Sequence, residues 1–393
     1  MNTKPVVVQK YGGSSLANPE YIKRVAENIV KRKDEGVNLV VVVSAMGKTT
    51  DEFVKMAHAV NPDPDRREMD MLLSVGERIS ISLLALAINA KGKHRAVSYT
   101  GSQIGLVTDN NHSNARVLEV KGLRLHDALN EDKIVVIAGF QGVSINKEIT
   151  TLGRGGSDTT AVAVAASLNA ECCEVMSDID GIYTADPQKI AVAKRIDRVD
   201  YDIALEMSAA GAGMLHKTAV EFAKRHRVPL SLGSTFTGKI GTIVTDEKLS
   251  KGNVTGVVTD KDIVLLRVTI SQEKGLKLPL LFSRENVQLK LWQLVNGSAV
   301  IGVSKSDISA AKKIIGATTD TYSIEDQRIV LSIIGAGINI GTEAAGRFFT
   351  KLNELNIEYS DVINGELFLK VVIPLKNSDK ITEEIHNLFF ENS

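Results

Sequence analysis

Apolar and polar positions alternate along the first part of the chain in the manner of an α/β fold. From residue 5 to about residue 245, short runs rich in β-branched residues are separated by longer amphipathic segments. The run 39–43 has no polar position, as expected of a strand buried on both faces. The pattern predicts a mainly parallel sheet sandwiched between helices. The predicted strands are 5–8, 37–43, 97–99, 134–138 and 173–176.

A different pattern follows a polar stretch at about 245–256. A strand-helix-strand-strand-helix order occurs roughly twice, which predicts two small α+β modules. We therefore predict one domain over residues 1–245 and a second region over 257–393. The predicted elements of the second region are strands 263–270, 299–303, 329–334 and 367–373, and helices 306–315 and 343–355.

Composition narrows the class of function. Lys plus Arg and Asp plus Glu number 47 each among 393 residues, so nothing favours a nucleic acid or a membrane surface as partner. No apolar run approaches the roughly 18 residues of a membrane span, and the adjacent Cys172 and Cys173 predict no disulfide. The seven histidines show no metal-ligand spacing. We expect a cytoplasmic protein that binds small molecules and builds no metal site of its own.

The first predicted strand ends in Lys10, Tyr11, Gly12, Gly13 and Ser14. Glycines let backbone N–H groups approach phosphate oxygens, and a lysine places a point charge on a phosphoryl group. The spacing differs from that of a Walker A loop. The segment therefore predicts phosphate binding, with an ordinary Gly-Gly-Ser turn as the alternative.

A glycine-rich turn at 151–160 leads into a helix of small residues at 161–166. Such a turn offers N–H donors and the positive end of a helix dipole to an anion. Arg154 can bind a carboxylate through two hydrogen bonds, and Asp158 can orient a lysine or an ammonium group. The alternative is that Asp158 only caps the helix and Arg154 is a surface charge.

Acidic and hydroxyl side chains follow the predicted strand at 173–176. They would suit a nucleotide and its Mg²⁺, which prefers oxygen ligands, although a hydrated acidic turn is also possible. These residues are Ser177, Asp178, Asp180, Tyr183 and Asp186.

Glu77 lies in the segment 74–78, which we predict to start a helix. Its carboxylate either binds a substrate ammonium group or only caps that helix. The sequence leaves both interpretations open.

Together these segments resemble the aspartokinases, from residue 6 to about residue 244. Their order and spacing carry the resemblance, and the segments 43–51, 100–105 and 139–143 also fit. The C-terminal region resembles the paired ACT modules of that family. The resemblance implies the amino-acid kinase fold, and transfer of the γ-phosphoryl group of MgATP to L-aspartate, the first step toward lysine, threonine and methionine. It also implies a homodimer through the ACT modules and a possible amino-acid effector.

The resemblance implies roles for individual residues. Lys10 would stabilise the transferring phosphoryl group, and Asp158 would position lysine charge around the phosphates. Glu77 would bind the substrate ammonium group and Arg154 a substrate carboxylate. The residues that would complete the acceptor pocket are Ser44, Thr50 and Ser157. The ATP site would comprise Lys10, Tyr11, Gly12, Gly13, Ser14, Ser177, Asp178, Tyr183, Asp186 and, by the argument that follows, Lys217.

Three positions in the kinase region depart from the family pattern. Gly213 stands where a lysine is usual, and Lys217 stands where a proline is usual. We hypothesise that Lys217 reaches back to the phosphates, because residues i and i+4 share a helix face. Gln188 also replaces the arginine that usually follows Asp-Pro. Weaker ATP binding or a lower rate is the expected consequence.

The expected effector loops depart from the family pattern as well. Segments 271–275 and 335–341 keep glycine but lack the usual Pro-Gly turn. We hypothesise that feedback inhibition by lysine or threonine is lost or altered.

Other functions stay open at this point. The acceptor could be another carboxylate, such as a modified aspartate or glutamate. Gly213 and Gln188 also allow a kinase-like subunit that only binds ligands or regulates a partner. A nicotinamide-dependent enzyme would depend on the glycines of 335–341, whose third glycine is one position late for that motif.

Overall fold

The computed structural model describes residues 4–248, 254–319, 321–338 and 343–391. The chain forms two compact units. The first contains residues 1–182, 195–205 and 214–248, and the second contains residues 183–194, 206–213 and 249–393.

The first unit is built on a mainly parallel sheet, as predicted. Its strands are β1 (Val6–Tyr11), β2 (Asn38–Val43), β3 (Ala96–Tyr99), β4 (Leu106–Thr108), β5 (Val117–Val120), β6 (Ile134–Ala138), β7 (Gln141–Ser144), β8 (Ile149–Thr151), β9 (Cys172–Ser177), β10 (Arg198–Asp200), β11 (Leu230–Ser234) and β12 (Ile240–Thr245). Eight of them pair in the order β10-β12-β11-β9-β1-β2-β6-β3, and only the β11–β12 pair is antiparallel. Every residue of β2 is buried, because helices cover both faces of this central strand. A second, four-stranded sheet has the order β5-β4-β7-β8.

Local signals explain where several helices of this unit begin. The helices are α1 (Pro19–Asp34), α2 (Thr49–Val60), α3 (Arg66–Ala90), α4 (Leu123–Asn130), α5 (Gly156–Ser167), α6 (Tyr201–Ala209, whose last residues belong to the second unit) and α7 (Lys217–His226). The Asn18 side chain caps α1 by accepting the Tyr21 N–H at 2.9 Å. The Asp65 side chain caps α3 in the same way, accepting the Arg67 N–H at 2.8 Å.

Helix α3 is long and apolar enough by composition to cross a membrane, but half of its most apolar stretch is buried inside the protein. Ile81, Leu84 and Ile88 pack in the core of the first unit. This is the burial expected of a core helix in a globular domain.

The second unit contains two four-stranded sheets, each with helices. The strands are β13 (Gly256–Asp260), β14 (Val264–Thr269), β15 (Leu291–Val295), β16 (Ser298–Val303), β17 (Tyr322–Glu325), β18 (Arg328–Ile334), β19 (Ser360–Asn364) and β20 (Phe368–Pro374). The helices are α8 (Gln272–Arg284), α9 (Ile308–Gly316), α10 (Glu343–Glu354) and α11 (Ser378–Phe390). Phe282 and Phe348 are fully buried in two separate hydrophobic clusters, so each module has its own core.

The two modules are nested in the chain, whereas the sequence predicted a strand-helix-strand-strand-helix order that simply occurs twice. One sheet has the order β15-β16-β14-β17, and the other β13-β18-β20-β19. Strand β13 therefore precedes the first module in the chain but pairs antiparallel with β18 of the second. This pairing covers an edge of β18 that would otherwise expose its backbone hydrogen-bonding groups.

Candidate active site

The predicted site residues of the first unit gather at one edge of the large sheet. Strands β1, β2 and β9 are parallel neighbours, so their carboxyl ends lie side by side. Lys10 lies near the end of β1, Ser44 follows β2, and Ser177 ends β9. Loops past strand carboxyl ends are where open α/β sheets bind ligands.

An ion pair joins the two glycine-rich segments. Lys10 Nζ lies 2.6 Å from Asp158 Oδ1, and the two side chains are only 14% and 11% exposed. Asp158 lies in the first turn of α5, whose cap position is Gly155 with a φ of 71°. The alternative that Asp158 merely caps its helix is therefore wrong, since its carboxylate faces Lys10.

The loop after β1 packs against the loop after β2. A Cβ atom on Gly13 would lie 2.7 Å from the Ala45 carbonyl oxygen, so no larger residue fits there without a shift. Gly47 N–H donates to the Gly13 carbonyl at 3.0 Å. Gly12 lies beside Lys10 Nζ, and Ser14 is exposed at the start of the 3₁₀ turn Ser14–Leu16. The loop backbone is thus held close to the lysine.

Tyr11 requires a correction. Its sequence position suggested a place in the ATP site, but its side chain is fully buried in the core and its hydroxyl donates to Gln9 Oε1 at 3.2 Å. Burial also raises its pKa far above the usual value, with the nearby Glu174 carboxylate adding to the effect. Only the backbone of Tyr11 can line the site.

Glu77 presents a buried carboxylate beside the loop after β2. Its Oε1 accepts the Ala45 N–H at 3.0 Å, while Oε2 is buried with no hydrogen-bond partner among the described residues. Burial raises the pKa of Glu77 to about 7, against the lowering effect of the backbone hydrogen bonds. Glu77 can therefore accept a further donor through Oε2.

The expected helix start at Glu77 is wrong, because α3 already begins at Arg66 and Glu77 lies in its middle. Gly76, directly before Glu77, lies inside this helix and marks no boundary. Gly76 instead allows close packing, since a Cβ atom on it would lie 2.8 Å from the Ala45 Cβ. The capping alternative for Glu77 is excluded.

The other predicted acceptor-pocket residues lie in the first turns of α2 and α5. Thr50 is half-buried in the first turn of α2, close in sequence to Ser44. Ser157 is 7% exposed at the start of α5. A Cβ atom on Gly139, just past β6, would lie 2.8 Å from Ser157 Oγ, so this glycine makes room for the serine.

Arg154 lies exposed in the loop between β8 and α5, next to the start of α7. A Cβ atom on Gly155 would overlap His216, which directly precedes Lys217. Burial lowers the pKa of His216, and the charges of Lys217 and Arg154 lower it further. Lys217 therefore lies near the loop that carries Arg154.

Lys217 does not share a helix with Gly213, which corrects the reason given for its role. Helix α6 ends at Ala209, Gly211 follows with a φ of 106°, and α7 begins only at Lys217. The left-handed glycine interrupts the helical pattern that the sequence suggested.

The predicted nucleotide residues are divided between the two units. Ser177 Oγ donates to Asp178 Oδ1 at 2.8 Å in the first unit. Tyr183 and Asp186 belong to the second unit, where Thr184 Oγ1 pairs with His386 Nε2 of α11 at 2.7 Å. Asp186 also pairs with the Lys189 ammonium group at 3.2 Å. A cation is therefore present one residue after Gln188, the position where an arginine is usual.

Several partners of these residues were not predicted from the sequence. The Ala45 N–H that orients Glu77 carries no side-chain signal, and neither does Gly139. Ser15 pairs with Thr235 at 2.7 Å beside the first glycine loop, and its place in that motif could have indicated it. Among the residues that the structure describes, no three His, Cys, Asp or Glu side chains are grouped to hold a metal ion.

Comparisons with known proteins identify the family of this chain. The model of the amino acid kinase family matches residues 5–234. The aspartokinase of Mycolicibacterium smegmatis is 41% identical over 406 aligned residues, which cover 98% of this chain and 96% of that protein. The aspartokinase of Geobacillus stearothermophilus is 38% identical and covers 98% and 97% of the two chains.

A solved structure supports the fold. E. coli aspartokinase III in complex with aspartate and ADP superposes with a TM-score of 0.82 at 21% identity, covering 98% of this chain and all of that one. At this identity the similarity supports the fold alone.

Proposed function

The chain belongs to the aspartokinases of the amino acid kinase family, and we propose that it transfers the γ-phosphoryl group of ATP to the side-chain carboxylate of L-aspartate. The product is 4-phospho-L-aspartate, which starts the pathway to lysine, threonine and methionine. The observation that carries the proposal is the Lys10–Asp158 pair, shielded from solvent at the same sheet edge as the Glu77 region.

The acceptor site matches the charges of aspartate. Glu77 Oε2 accepts the substrate ammonium group, because this buried oxygen has no other partner in the described chain. Arg154 binds the α-carboxylate through its guanidinium group. Ser44, Thr50 and Ser157 complete the pocket. The side-chain carboxylate is then held in line with the γ-phosphorus.

Transfer needs no covalent enzyme intermediate. A carboxylate oxygen of aspartate forms a bond to the γ-phosphorus, and the bond from that phosphorus to the β–γ bridging oxygen breaks, releasing ADP. Lys10 stabilises the charge on the transferring group, and Asp158 holds the lysine Nζ in place. Because solvent is largely excluded here, the lysine charge is weakly screened and stabilises the transferring group more strongly.

We propose that Mg²⁺ enters with ATP as part of the co-substrate. The carboxylate of Asp178, directly after β9, is a candidate oxygen donor, and Mg²⁺ on ATP commonly keeps several waters. The ATP-facing set of the first unit is Lys10, the backbone of residues 11–13, Ser14, Ser177, Asp178 and Lys217, whereas the roles of Tyr183 and Asp186 stay predictions from the sequence. We also propose a cytoplasmic location, where ATP is available.

A trapping assay tests the function. The purified protein is incubated with MgATP, L-aspartate and hydroxylamine, which converts an acyl phosphate to a hydroxamate. Glutamate and no-acceptor reactions run alongside. Aspartate-dependent hydroxamate is the expected result. If no acceptor gives product while ATP or aspartate still binds, the chain is a regulatory or ligand-binding subunit.

Replacing Lys217 by alanine should raise KM for ATP about fivefold, the effect of one charged hydrogen bond of modest strength. Lys217 begins α7 close to the Arg154 loop, which places a positive charge near the kinase site. Steady-state kinetics with varied ATP measures the effect. Lys224→Ala, which removes the Asp202 ion pair in the last turn of α7, is the matched control. An unchanged KM for ATP in Lys217→Ala contradicts the proposal.

We assign catalysis to residues 1–245 and regulation and dimerisation to residues 257–393. Exposed apolar side chains on edge strands β15 and β17 support pairing of the modules: Trp292, Val295 and Ile324. A pocket of about 470 Å³ borders the loop at 271–275 and offers a place for an amino-acid effector. The second expected effector loop is described only up to Ile338, and Asn339–Gly341 lie outside the described residues.

Feedback inhibition by lysine or threonine should be absent or altered. The loop before α8 runs through Ser271, whose side chain caps the helix by accepting the Lys274 N–H at 3.4 Å, with no proline to shape an effector turn. Activity is measured against lysine and threonine, singly and together, up to millimolar concentrations, with methionine as a comparison. Ordinary dose-dependent inhibition by either amino acid contradicts the hypothesis.

A further inference from the structure

A buried carboxylate outside the proposed catalytic set, that of Asp70, joins three segments of the first unit. Asp70 lies on α3 two helical turns before Glu77, so the two carboxylates share a side of the helix. It is completely buried. A buried carboxylate is tolerated only when hydrogen-bond donors surround it.

Donors from two other segments surround the Asp70 carboxylate. His112 Nδ1 donates to Oδ2 at 2.6 Å, and the Ser113 N–H lies 3.1 Å from both oxygens. Thr151 Oγ1 donates to Oδ1 at 2.5 Å. His112 and Ser113 belong to the loop between β4 and β5, whereas Thr151 is the last residue of β8. Asp70 thus fixes this loop and the end of β8 to α3.

These contacts lead directly to the Arg154 loop. Ala115 N–H donates to the Thr151 carbonyl at 2.9 Å, which links the same two segments again. A Cβ atom on Gly153 would lie 3.0 Å from Asn114 Oδ1 and 3.2 Å from the Ser113 carbonyl oxygen. Gly153 therefore packs on the loop that Asp70 holds, and its carbonyl accepts the Gly156 N–H at 3.0 Å where α5 begins.

We propose that Asp70 is a positioning residue for aspartate binding: it fixes the His112–Ser113 loop and the end of β8 and so sets the position of Arg154. The inference rests on the proposed function, in which Arg154 binds the substrate α-carboxylate. Asp70 acts only through these neighbours. Its loss displaces the guanidinium group without removing any group that binds ATP.

The test measures KM for both substrates in Asp70→Asn. Asparagine keeps the size of the side chain but replaces one acceptor oxygen with a donor group. KM for aspartate should rise about tenfold, as expected for hydrogen bonds to a charged group. KM for ATP should stay within about twofold. If both KM values rise equally, or if neither rises, the proposal is overturned. A merely structural role would not affect KM for aspartate and KM for ATP differently.

Two further variants keep the test decisive. Thr151→Val removes a single donor and should give a smaller shift in KM for aspartate, which serves if Asp70→Asn does not fold. Asp34→Asn breaks another carboxylate–histidine contact, to His94 at 2.8 Å in the same unit, and should leave both constants unchanged. A shift in KM for aspartate in Asp34→Asn overturns the assignment to Asp70.

A double-variant cycle examines the route through Arg154. In an Arg154→Lys background, Asp70→Asn should lower kcat/KM for aspartate by much less than in the wild-type protein. The reason is that substitutions at residues that act through one another do not have additive effects. Full additivity contradicts the route. The wild-type protein tests the proposed function separately, because absence of aspartyl hydroxamate with that protein refutes the function. If Asp70→Asn does not change KM for aspartate more than KM for ATP, only the positioning role is refuted.

Discussion

Replacing Lys10 by methionine should lower kcat about 10³-fold, the scale found when a group that stabilises transition-state charge is removed. Lys10 Nζ lies 2.6 Å from Asp158, with little solvent around either side chain, so its charge is weakly screened. The hydroxamate assay under saturating substrates measures kcat. A value within about tenfold of wild type contradicts the role of Lys10.

Stability must be separated from catalysis in this experiment. Lys10→Met alone leaves the Asp158 carboxylate without its cation, which costs about 3–5 kcal/mol when such a pair is buried. The double variant Lys10→Met/Asp158→Asn avoids that cost and should be as inactive as the single variant Lys10→Met. Lys33→Met/Asp132→Asn is the matched control, since Lys33 is also a buried lysine with a carboxylate at 2.8 Å. It should keep wild-type kcat.

Replacing Glu77 by glutamine should lower kcat/KM for aspartate about 10²-fold, as expected for truncating one partner of a buried charge pair. The loss should fall mainly on KM for aspartate, because the buried Oε2 is the proposed partner of the substrate ammonium group. Glu68→Gln, an exposed position on the same helix, is the control. Equal kcat/KM in Glu77→Gln and wild type contradicts the assignment.

The same variant has a pH signature. Burial raises the pKa of Glu77 to about 7, so the carboxyl gains a proton as pH falls below that value and loses its hold on an ammonium group. For wild type, kcat/KM for aspartate should therefore fall on the acid side of about pH 7, and this limb should be missing in Glu77→Gln. A pH profile of kcat/KM checks both statements.

The contribution of Glu77 to folding stability should fall with rising pH, the opposite of its effect on kcat/KM. The folded protein binds the Glu77 proton more tightly than the unfolded chain does, because the folded pKa lies above the ordinary glutamate value of 4.5. The stability contribution of Glu77 is full below pH 4.5 and is lost as pH rises through about 7. Without bound substrates, the Glu77→Gln variant should therefore have a higher melting temperature than the wild-type protein at pH 8.

Much of the kinase fold could be predicted because its signals are local. The run at 134–138 coincides with β6, and the other predicted strands differ from β1, β2, β3 and β9 by a few residues at their ends. Burial on both faces removes polar positions from a strand, and that pattern is visible without any tertiary contact. The nested order of the C-terminal modules was not visible, because the partner of β13 lies about 70 residues further along the chain.

The sequence by itself determined the α/β class, the order of the motifs, the resemblance to the aspartokinases and the residue types gathered at the proposed site. Only the tertiary structure decided which of these side chains meet. It paired Lys10 with Asp158, directed Glu77 toward Ala45, turned the Tyr11 ring into the core and ended α6 before Lys217. The physical reason is that hydrophobic periodicity reports the burial of each segment, whereas a contact between distant residues depends on how whole helices and strands pack.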